Sequence, residues 1–392
     1  MNILAIIIGI ILILVILQDS FESVVLPHRV SRRFKLSSVF YRTTWMLWSL
    51  FARKRRQGNQ REVYLSYFGP LSLICLLGLW VAVLVLAFAL LQWGLGSSLQ
   101  APEKAVTFGT YLYMSGTTFV TLGFGDVVPL LGLGRFLGVG EAGIGFGFLA
   151  LIIGYVPVIY QSFSRREVGI ALLDARAGSP ASATELLRRH YRDQQVGELV
   201  QSLREWERWC AELLESHLSY PPLTYYRSQH ERQSWLGALT TILDANALLI
   251  VGFEGITVPT NRFTFAIARH AAVDLAYVYG IPPMKSKHDR LSSADFVRMR
   301  TALAEVGLQL QHEEDAEHRL AEIRRMYEPF VTTLADHLLL NLPPWIAVTK
   351  TVDDWQTSAW DHFALWSPQK LEEITHSIID RRKKTLFGSG HE

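Results

Sequence analysis

Three long apolar stretches occupy much of the first 160 residues, and amphipathic sequence follows them. The stretches are residues 1–17, 67–93 and 135–160. Each is long enough to cross a bilayer core of about 30 Å at about 1.5 Å per residue. From residue 165 onward, apolar residues recur at i, i+3 and i+4 spacing, which predicts helices rather than strands. The pattern therefore predicts an all-α membrane part followed by an all-α soluble part.

Basic residues lie mainly between the first and second apolar stretches, and two more follow the third. By the positive-inside rule these segments are cytoplasmic, which places the N-terminus outside and the C-terminal part inside. The first stretch has neither a basic leader nor a small-residue cleavage site, so a retained membrane span is expected. The basic residues concerned are Arg29, Arg32, Arg33, Lys35, Arg42, Arg53, Lys54, Arg55, Arg56, Arg61, Arg165 and Arg166.

Residues 36–51 form an interrupted apolar segment beside this basic cluster, with Phe40, Trp45, Trp48 and Phe51 at helical spacing. That combination favours an interfacial helix on the inner leaflet. The alternative is a soluble helix that packs against the C-terminal part.

A polar, glycine-rich interruption, TTFVTLGFGDVVP, covers residues 117–129. It follows residues 105–119, which are moderately apolar but too short to cross the membrane. Irregular backbone at membrane depth is tolerated only where protein buries it or where it lines a water-filled path. Gly123 and Gly125 can adopt positive φ, which lets successive carbonyls point toward one axis. Such carbonyls, with the Thr121 hydroxyl, are suited to replace the hydration shell of an alkali cation.

The segment TLGFGD, Thr121 to Asp126, resembles the selectivity-filter signature of potassium channels in its TxGFG form. An outer helix, a pore helix, the filter, Pro129 and a glycine-rich inner helix follow in that family's order over residues 67–163. The resemblance implies K⁺ as the transported ion and a homotetramer, because one chain carries one filter and a ring needs four. The implied ion-binding residues are Thr121, Leu122, Gly123, Phe124 and Gly125.

The same resemblance suggests side chains that support the filter. Asp126 would accept a hydrogen bond from Tyr113 on the pore helix. Val120 and Thr117 stand where many potassium channels have a second threonine and a glutamate, so strict potassium selectivity stays open. Glu141 is the acid of the third apolar stretch. One interpretation is that it faces the rear of the filter, where it either accepts a hydrogen bond from Thr117 or Thr118 or is protonated. The other is that it lies in water near the outer end of its helix.

The inner helix carries a run of glycines and one proline. Small residues allow close helix approach, and proline disrupts the helical hydrogen-bond ladder. The candidate gating hinges are Gly143, Gly147, Gly154 and Pro157. Residues 138–143, GVGEAG, match a dinucleotide-binding pattern, but they lie inside an apolar stretch without a βαβ unit, so that interpretation is rejected.

The C-terminal part is expected to be helical throughout. Ser182 and Glu185 form a capping box, and Ser367 with Pro368 marks the start of a last helix. Helical periodicity covers residues 232–256, 261–279, 291–325 and 327–341.

Potential chemistry in that part is sparse. A metal site from His217, His230, Asp244 and His270 is one interpretation, although His270 with Asp274 at i, i+4 fits an ordinary core histidine better. The acidic run at 312–318 indicates a solvated helix face. No phosphate-binding loop, zincin motif or nucleophile elbow occurs in the soluble sequence, so no enzyme is expected. The net charge of +2 gives no reason to expect nucleic acid, and the two cysteines give no disulfide framework.

These observations divide the chain into four units. They are an N-terminal transmembrane helix (1–17), a basic cytoplasmic segment (18–66), a pore module (67–163) and a helical cytoplasmic domain (164–392). The function expected is a homotetrameric potassium channel of the cell membrane, gated by the helical domain, with no other cofactor. The alternatives are a weakly selective cation channel and a membrane-anchored sensor or enzyme with a non-conducting scaffold.

Overall fold

The computed structural model describes residues 2–26, 35–55, 58–102, 105–191, 196–230, 232–284 and 289–347. Its regular structure is helical apart from one pair of two-residue strands, β1 (Leu99–Gln100) and β2 (Val128–Pro129). The helices of the first half are α1 (Ile3–Ser20), α2 (Leu36–Arg53), α3 (Asn59–Ser66), α4 (Phe68–Leu95), α5 (Phe108–Phe119) and α6 (Gly132–Ala177). Those of the second half are α7 (Ala183–Tyr191), α8 (Val196–Ser219), α9 (Trp235–Val251), α10 (Asn261–Val278), α11 (Ser293–Ala304), α12 (Glu313–Arg324) and α13 (Glu328–Leu338).

Three helical segments are long and apolar enough to cross a membrane, among the residues described. They are Ile3–Val25, Asn59–Leu95 and Gly132–Ala177, and they contain the three stretches predicted from the sequence. The chain is therefore a membrane protein. The third segment, α6, continues without a break through Pro157.

Helix α1 packs along α4 through small residues. A Cβ on Gly9 would lie 2.8 Å from the Ala87 carbonyl oxygen, so only glycine allows this approach. At the far end of α1, the buried Asp19 carboxylate accepts hydrogen bonds from the Ser37 N–H (3.1 Å) and from Trp80 Nε1 (3.0 Å). This one acid joins α1, α2 and α4.

Helix α2 packs against the C-terminal part along one face. Trp45 is buried and donates from Nε1 to the His337 carbonyl oxygen at 3.0 Å, and Arg53 donates to the Asp336 carbonyl oxygen at 3.2 Å. These contacts agree with the alternative given above for residues 36–51, a helix that packs against the C-terminal part. The opposite face exposes Met46, Leu47, Leu50 and Phe51, and an interfacial role for that face stays a prediction.

The C-terminal part is a bundle around α9, whose side chains are nearly all buried. Ser182 Oγ accepts the Glu185 N–H at 3.3 Å, as expected of a helix cap. The periodic segment 291–325 is two helices rather than one, because Gly307 adopts a φ of +89° after α11 and the chain turns there. Ser367 and Pro368, like Arg29, Arg32, Arg33 and Arg56, lie outside the described residues.

Candidate ion-conduction site

The residues Val120–Val127 form a loop directly after α5, called here the glycine loop. Thr107 and Thr110 make a reciprocal capping box at the start of α5, which fixes its entry. At its end, the Thr117 carbonyl oxygen accepts two loop N–H groups, from Leu122 at 2.8 Å and from Gly123 at 3.2 Å. The first part of the loop therefore turns back on the end of the helix, with the N–H groups of Leu122 and Gly123 directed toward α5.

Positive φ alternates with ordinary backbone along this loop. Thr121, Gly123 and Gly125 have φ of 59°, 54° and 78°. Alternation of left- and right-handed residues turns successive carbonyl groups to the same side of the strand, which a regular helix or sheet does not do. Two of the three positions are glycine, which adopts this conformation without steric cost, whereas Thr121 is held there against its preference.

The loop is uncovered by its own chain. Leu122 and Phe124 are 59% and 67% exposed, and a Cβ on Gly123 or Gly125 would meet no described atom within 4 Å. Carbonyl oxygens on one side of such a loop present negative dipoles suited to a dehydrated cation. The geometry therefore fits cation coordination once further copies of the loop close the ring.

Asp126 and Tyr113 meet as the resemblance implied. The Tyr113 hydroxyl donates to Asp126 Oδ2 at 2.8 Å, and Asp126 Oδ1 accepts the Val127 N–H at 3.1 Å. The acid thus ties the outer end of the loop back to α5, so the loop is held at both ends.

Removal of this tie by Tyr113→Phe is expected to shorten the period of sustained ion flux without stopping it. Both side chains are exposed, so water competes for this hydrogen bond and the effect on flux is expected to be modest. The matched control is Tyr277→Phe, since Tyr277 is 79% exposed on α10 of the C-terminal part. Equal decay of flux in proteoliposomes for both variants would contradict the role given to Tyr113.

Glu141 is fully buried, so its placement in water is wrong. Its partner is the Ser115 hydroxyl on α5, and the Thr117 hydroxyl instead donates to the Met114 carbonyl oxygen at 3.0 Å. Ser115 Oγ also lies 2.7 Å from the Val85 carbonyl oxygen, which can only accept. One hydroxyl proton cannot serve two acceptors fully, so both contacts are satisfied only when the Glu141 carboxyl carries a proton. This supports the protonated form among the earlier interpretations.

The glycine that α6 needs for contact with α5 is Gly145. A Cβ there would lie 2.0 Å from the Phe119 carbonyl oxygen, which is closer than any real contact. At Gly143, Gly147 and Gly154 the same test meets no atom of the described residues within 4 Å. The sequence shows the run of glycines but does not show which of them faces a neighbouring helix. The three hinge candidates and Pro157 stay predictions.

Arg166, on α6 beyond the apolar stretch, is buried against a turn formed by residues 220–226. Its guanidinium donates to the Leu223 and Tyr226 carbonyl oxygens at 3.0 and 2.9 Å and lies 3.3 Å from His217 Nε2. Every one of these partners belongs to the C-terminal part. The sequence showed Arg166 only as a basic residue after a span, because a cytoplasmic arginine is normally solvated.

The 220–226 turn also contacts helices α2 and α4. Tyr225 lies with its ring 5.1 Å from those of Trp45 (α2) and Phe68 (α4). Tyr226 packs so closely on Gly69 of α4 that a Cβ there would lie 2.7 Å from its ring. One turn therefore joins α2, α4 and α6 to the C-terminal part.

Burial, and after it the neighbouring Arg166 guanidinium, lower the pKa of His217 to about 3. Nδ1 lies 2.8 Å from the Leu213 carbonyl oxygen and so carries the proton, which leaves Nε2 to accept from Arg166. A neutral histidine fits this site and a charged one does not.

Because its folded pKa lies below the ordinary value near 6.5, His217 costs stability as pH falls from 6.5 toward 3. Acidification from pH 7 to pH 5 should therefore destabilise the C-terminal part by about 2 kcal/mol through this residue. His217→Gln keeps an acceptor for Arg166 and is expected to show a smaller fall in melting temperature over that range. His270→Gln, at an exposed histidine, is the control. An unchanged pH dependence in His217→Gln would contradict the assignment.

The four metal candidates do not form a site. His217 bonds Arg166, Asp244 is paired with Arg290 (Nη2 to Oδ2, 2.7 Å), and His270 lies 3.6 Å from Asp274. Among the described residues, no group of three His, Cys, Asp or Glu lies close enough to hold a metal ion. The interpretation failed because sequence spacing does not show which buried polar groups already satisfy one another.

Two helices long enough to cross a membrane, a half-length helix between them and a loop with alternating positive φ are the parts of an ion-channel pore. Comparison with known families agrees, since residues 74–161 match the family model described as an ion channel. The match covers less than a quarter of the chain and spans α4, α5, the glycine loop and the first part of α6. No curated protein and no solved structure matches the chain at a significant level. The chain therefore contains an ion-channel pore module with two membrane helices.

Proposed function

We propose that this protein is a homotetrameric channel that conducts K⁺ through its glycine loop. The observation that carries the proposal is the alternation of positive φ at Thr121, Gly123 and Gly125, with the N–H groups of Leu122 and Gly123 bonded to the Thr117 carbonyl oxygen. Backbone carbonyls in this arrangement replace the hydration shell of an alkali cation, and four loops complete the shell. The carbonyls of Thr121 to Gly125 coordinate the ion, and Asp126, Tyr113, Thr117 and Glu141 support them.

The C-terminal part lies on the cytoplasmic side of a cell membrane and regulates the pore in this proposal. The basic residues that flank the spans support that orientation. The 220–226 turn is the physical link, because it holds α2, α4 and α6 at once. A stimulus acts on such a channel only by binding open and closed states differently, so this turn is where a shift of the C-terminal part reaches the pore.

Flux of K⁺ and Na⁺ from proteoliposomes tests the proposal. The wild-type protein is expected to pass K⁺ faster than Na⁺, and Gly123→Asp is expected to pass neither, since a side chain at φ +54° both strains the loop and blocks the ring. Gly255→Asp is the matched control: Gly255 has φ +69° and open surroundings, but lies far along the chain in the C-terminal part.

The other outcomes select the alternatives. Equal K⁺ and Na⁺ flux indicates a weakly selective cation channel, for which Val120 and Thr117 are the departures to reverse first. Absence of flux for every cation would reject the channel proposal and leave the membrane-anchored sensor or enzyme.

A further inference from the structure

A cavity of about 340 Å³ lies where the C-terminal part meets α3 and α6. Its wall comes mainly from Glu62 on α3, from residues 170–174 of α6, from the first two turns of α9 and from residues 340–344. This volume lies within the range of about 300–1,000 Å³ that is usual for small-molecule sites. Arg232 and Asn341 are exposed members of the wall, so the cavity opens to water beside them.

Residues 340–344 cover the cavity and are held in place by hydrogen bonds. The Pro343 carbonyl oxygen accepts Arg290 Nη2 at 2.9 Å, and the next carbonyl but one, that of Trp345, accepts the Thr184 hydroxyl at 2.6 Å. These bonds fix the cover to the surrounding helices. The space beneath it is therefore a formed part of the fold, as in most small-molecule sites.

The buried part of the wall is apolar apart from one acid. Ile170, Leu173 and Ala238 are at most 4% exposed and supply aliphatic surface. Asp174 is also 4% exposed, and among the described residues it is the one ionisable group in the buried wall. The Ser179 hydroxyl donates to Asp174 Oδ2 at 2.5 Å, which fixes the orientation of the carboxylate. The interior therefore combines aliphatic surface with one oriented carboxylate.

These features select the charge of a ligand. A buried carboxylate is stabilised by a cationic group beside it, whereas an anionic ligand would meet it as a like charge. An ammonium group has three N–H donors and no acceptor, which suits a carboxylate. At the opening, Arg232 and the half-buried Glu62 carry opposite charges, so they do not favour either sign. The interior is thus complementary to a cationic group on an apolar body.

We propose that this cavity binds a small organic amine, with its ammonium group at Asp174 and its apolar body against Ile170, Leu173 and Ala238. Two elements of the wall lead into the membrane: α6 is continuous with the third span, and α3 is followed directly by α4. A bound amine therefore fixes the positions of both helices relative to α9. In a channel, such a ligand changes flux to the extent that it binds open and closed states differently.

Calorimetric titration of the full-length protein in detergent with 4-phenylbutylamine tests the charge preference. The amine is expected to bind about tenfold more tightly than 4-phenylbutan-1-ol, its neutral analogue, because hydrogen bonds between charged groups are the stronger ones. The anionic analogue 4-phenylbutanoate is expected to bind more weakly than either. Equal affinity for all three compounds, or a preference for the carboxylate, would overturn the proposal.

Two substitutions in the wall place the binding. Asp174→Asn is expected to weaken amine binding about tenfold and to leave alcohol binding unchanged, with the exposed Asp336→Asn as control. Ala181→Leu fills the cavity but keeps the Ala181 carbonyl oxygen as a contact of the Thr241 hydroxyl at 3.3 Å, so it does not depend on the loss of a buried acid. It is expected to abolish binding of both compounds, whereas Ala321→Leu, half-buried on α12, is not. Wild-type amine affinity in both Asp174→Asn and Ala181→Leu would overturn the proposal.

K⁺ flux in proteoliposomes shows whether occupancy reaches the pore, and this measurement alone rests on the proposed channel function. 4-Phenylbutylamine is expected to change basal flux by about fivefold or more in the wild-type protein, within the range usual for coupling between sites, and to have no such effect in Ala181→Leu. The same change in both proteins would show that the amine acts elsewhere and would contradict the coupling. A protein without K⁺ flux whose amine binding depends on Asp174 would reject the channel proposal and uphold the amine site.

Discussion

Gly145→Ala is expected to abolish ion flux. The new Cβ would lie 2.0 Å from the Phe119 carbonyl oxygen and 3.2 Å from the Phe119 Cα, so backbone rather than a flexible side chain blocks it. Helix α6 must move away from α5, and Phe119 ends α5 just before the glycine loop. Overpacking typically costs about 1–3 kcal/mol. Because the displaced atoms hold the loop, we expect flux to fall by at least about tenfold, a loss equivalent to ~1.4 kcal/mol.

The control for this substitution is Gly140→Ala on the same helix. A Cβ at Gly140 would meet no described atom within 4 Å of the same chain, so the same change in helix propensity occurs without the clash. K⁺ flux and melting temperature in detergent are measured for both. Wild-type flux in Gly145→Ala would show that α6 and α5 are not packed as described.

Arg166→Met is expected to separate regulation from conduction. The substitution leaves the Leu223 and Tyr226 carbonyl oxygens without their donor while keeping an apolar stem of similar length. A buried acceptor left without a hydrogen bond costs about 1–3 kcal/mol. We expect faster proteolysis of the C-terminal part and a changed basal flux, with the K⁺ over Na⁺ preference of the filter preserved.

Arg165→Met is the matched control for that experiment, since Arg165 is the neighbouring residue and is exposed. Gly69→Ala perturbs the same contact from α4, because its Cβ would lie 2.7 Å from the Tyr226 ring. Its control is Gly78→Ala on the same helix, since a Cβ there would meet no described atom within 4 Å. If Arg166→Met and Gly69→Ala both match their controls in basal flux, the 220–226 turn does not couple the two parts.

The pore module could be predicted from sequence because its signals are local. The length and polarity of the apolar stretches indicated the three spans. The order of a short helix, two glycines and Asp126 indicated the loop between the second and third spans. The Tyr113 contact with Asp126 was foreseen from the resemblance, and the geometry shows it formed. Helical periodicity likewise predicted the helices among the described residues of the C-terminal part, apart from the division at Gly307.

The remaining features depend on contacts distant in sequence. Arg166 bonds residues more than fifty positions away, and nothing in its neighbours distinguishes it from the solvated Arg165. Gly145 is chosen from a run of glycines by the position of Phe119 alone. Glu141 and Ser115 meet across two helices, so the sequence could name the acid but not its partner.

A map of the purified tetramer in lipid by electron cryomicroscopy tests the central claim most directly. The account predicts fourfold symmetry with four loops facing the axis and ordered ion density between the carbonyl layers of Thr121 to Gly125 in K⁺. A particle without fourfold symmetry would contradict the account. So would four loops whose carbonyls turn away from the axis, with no ion density on that axis in a K⁺ solution.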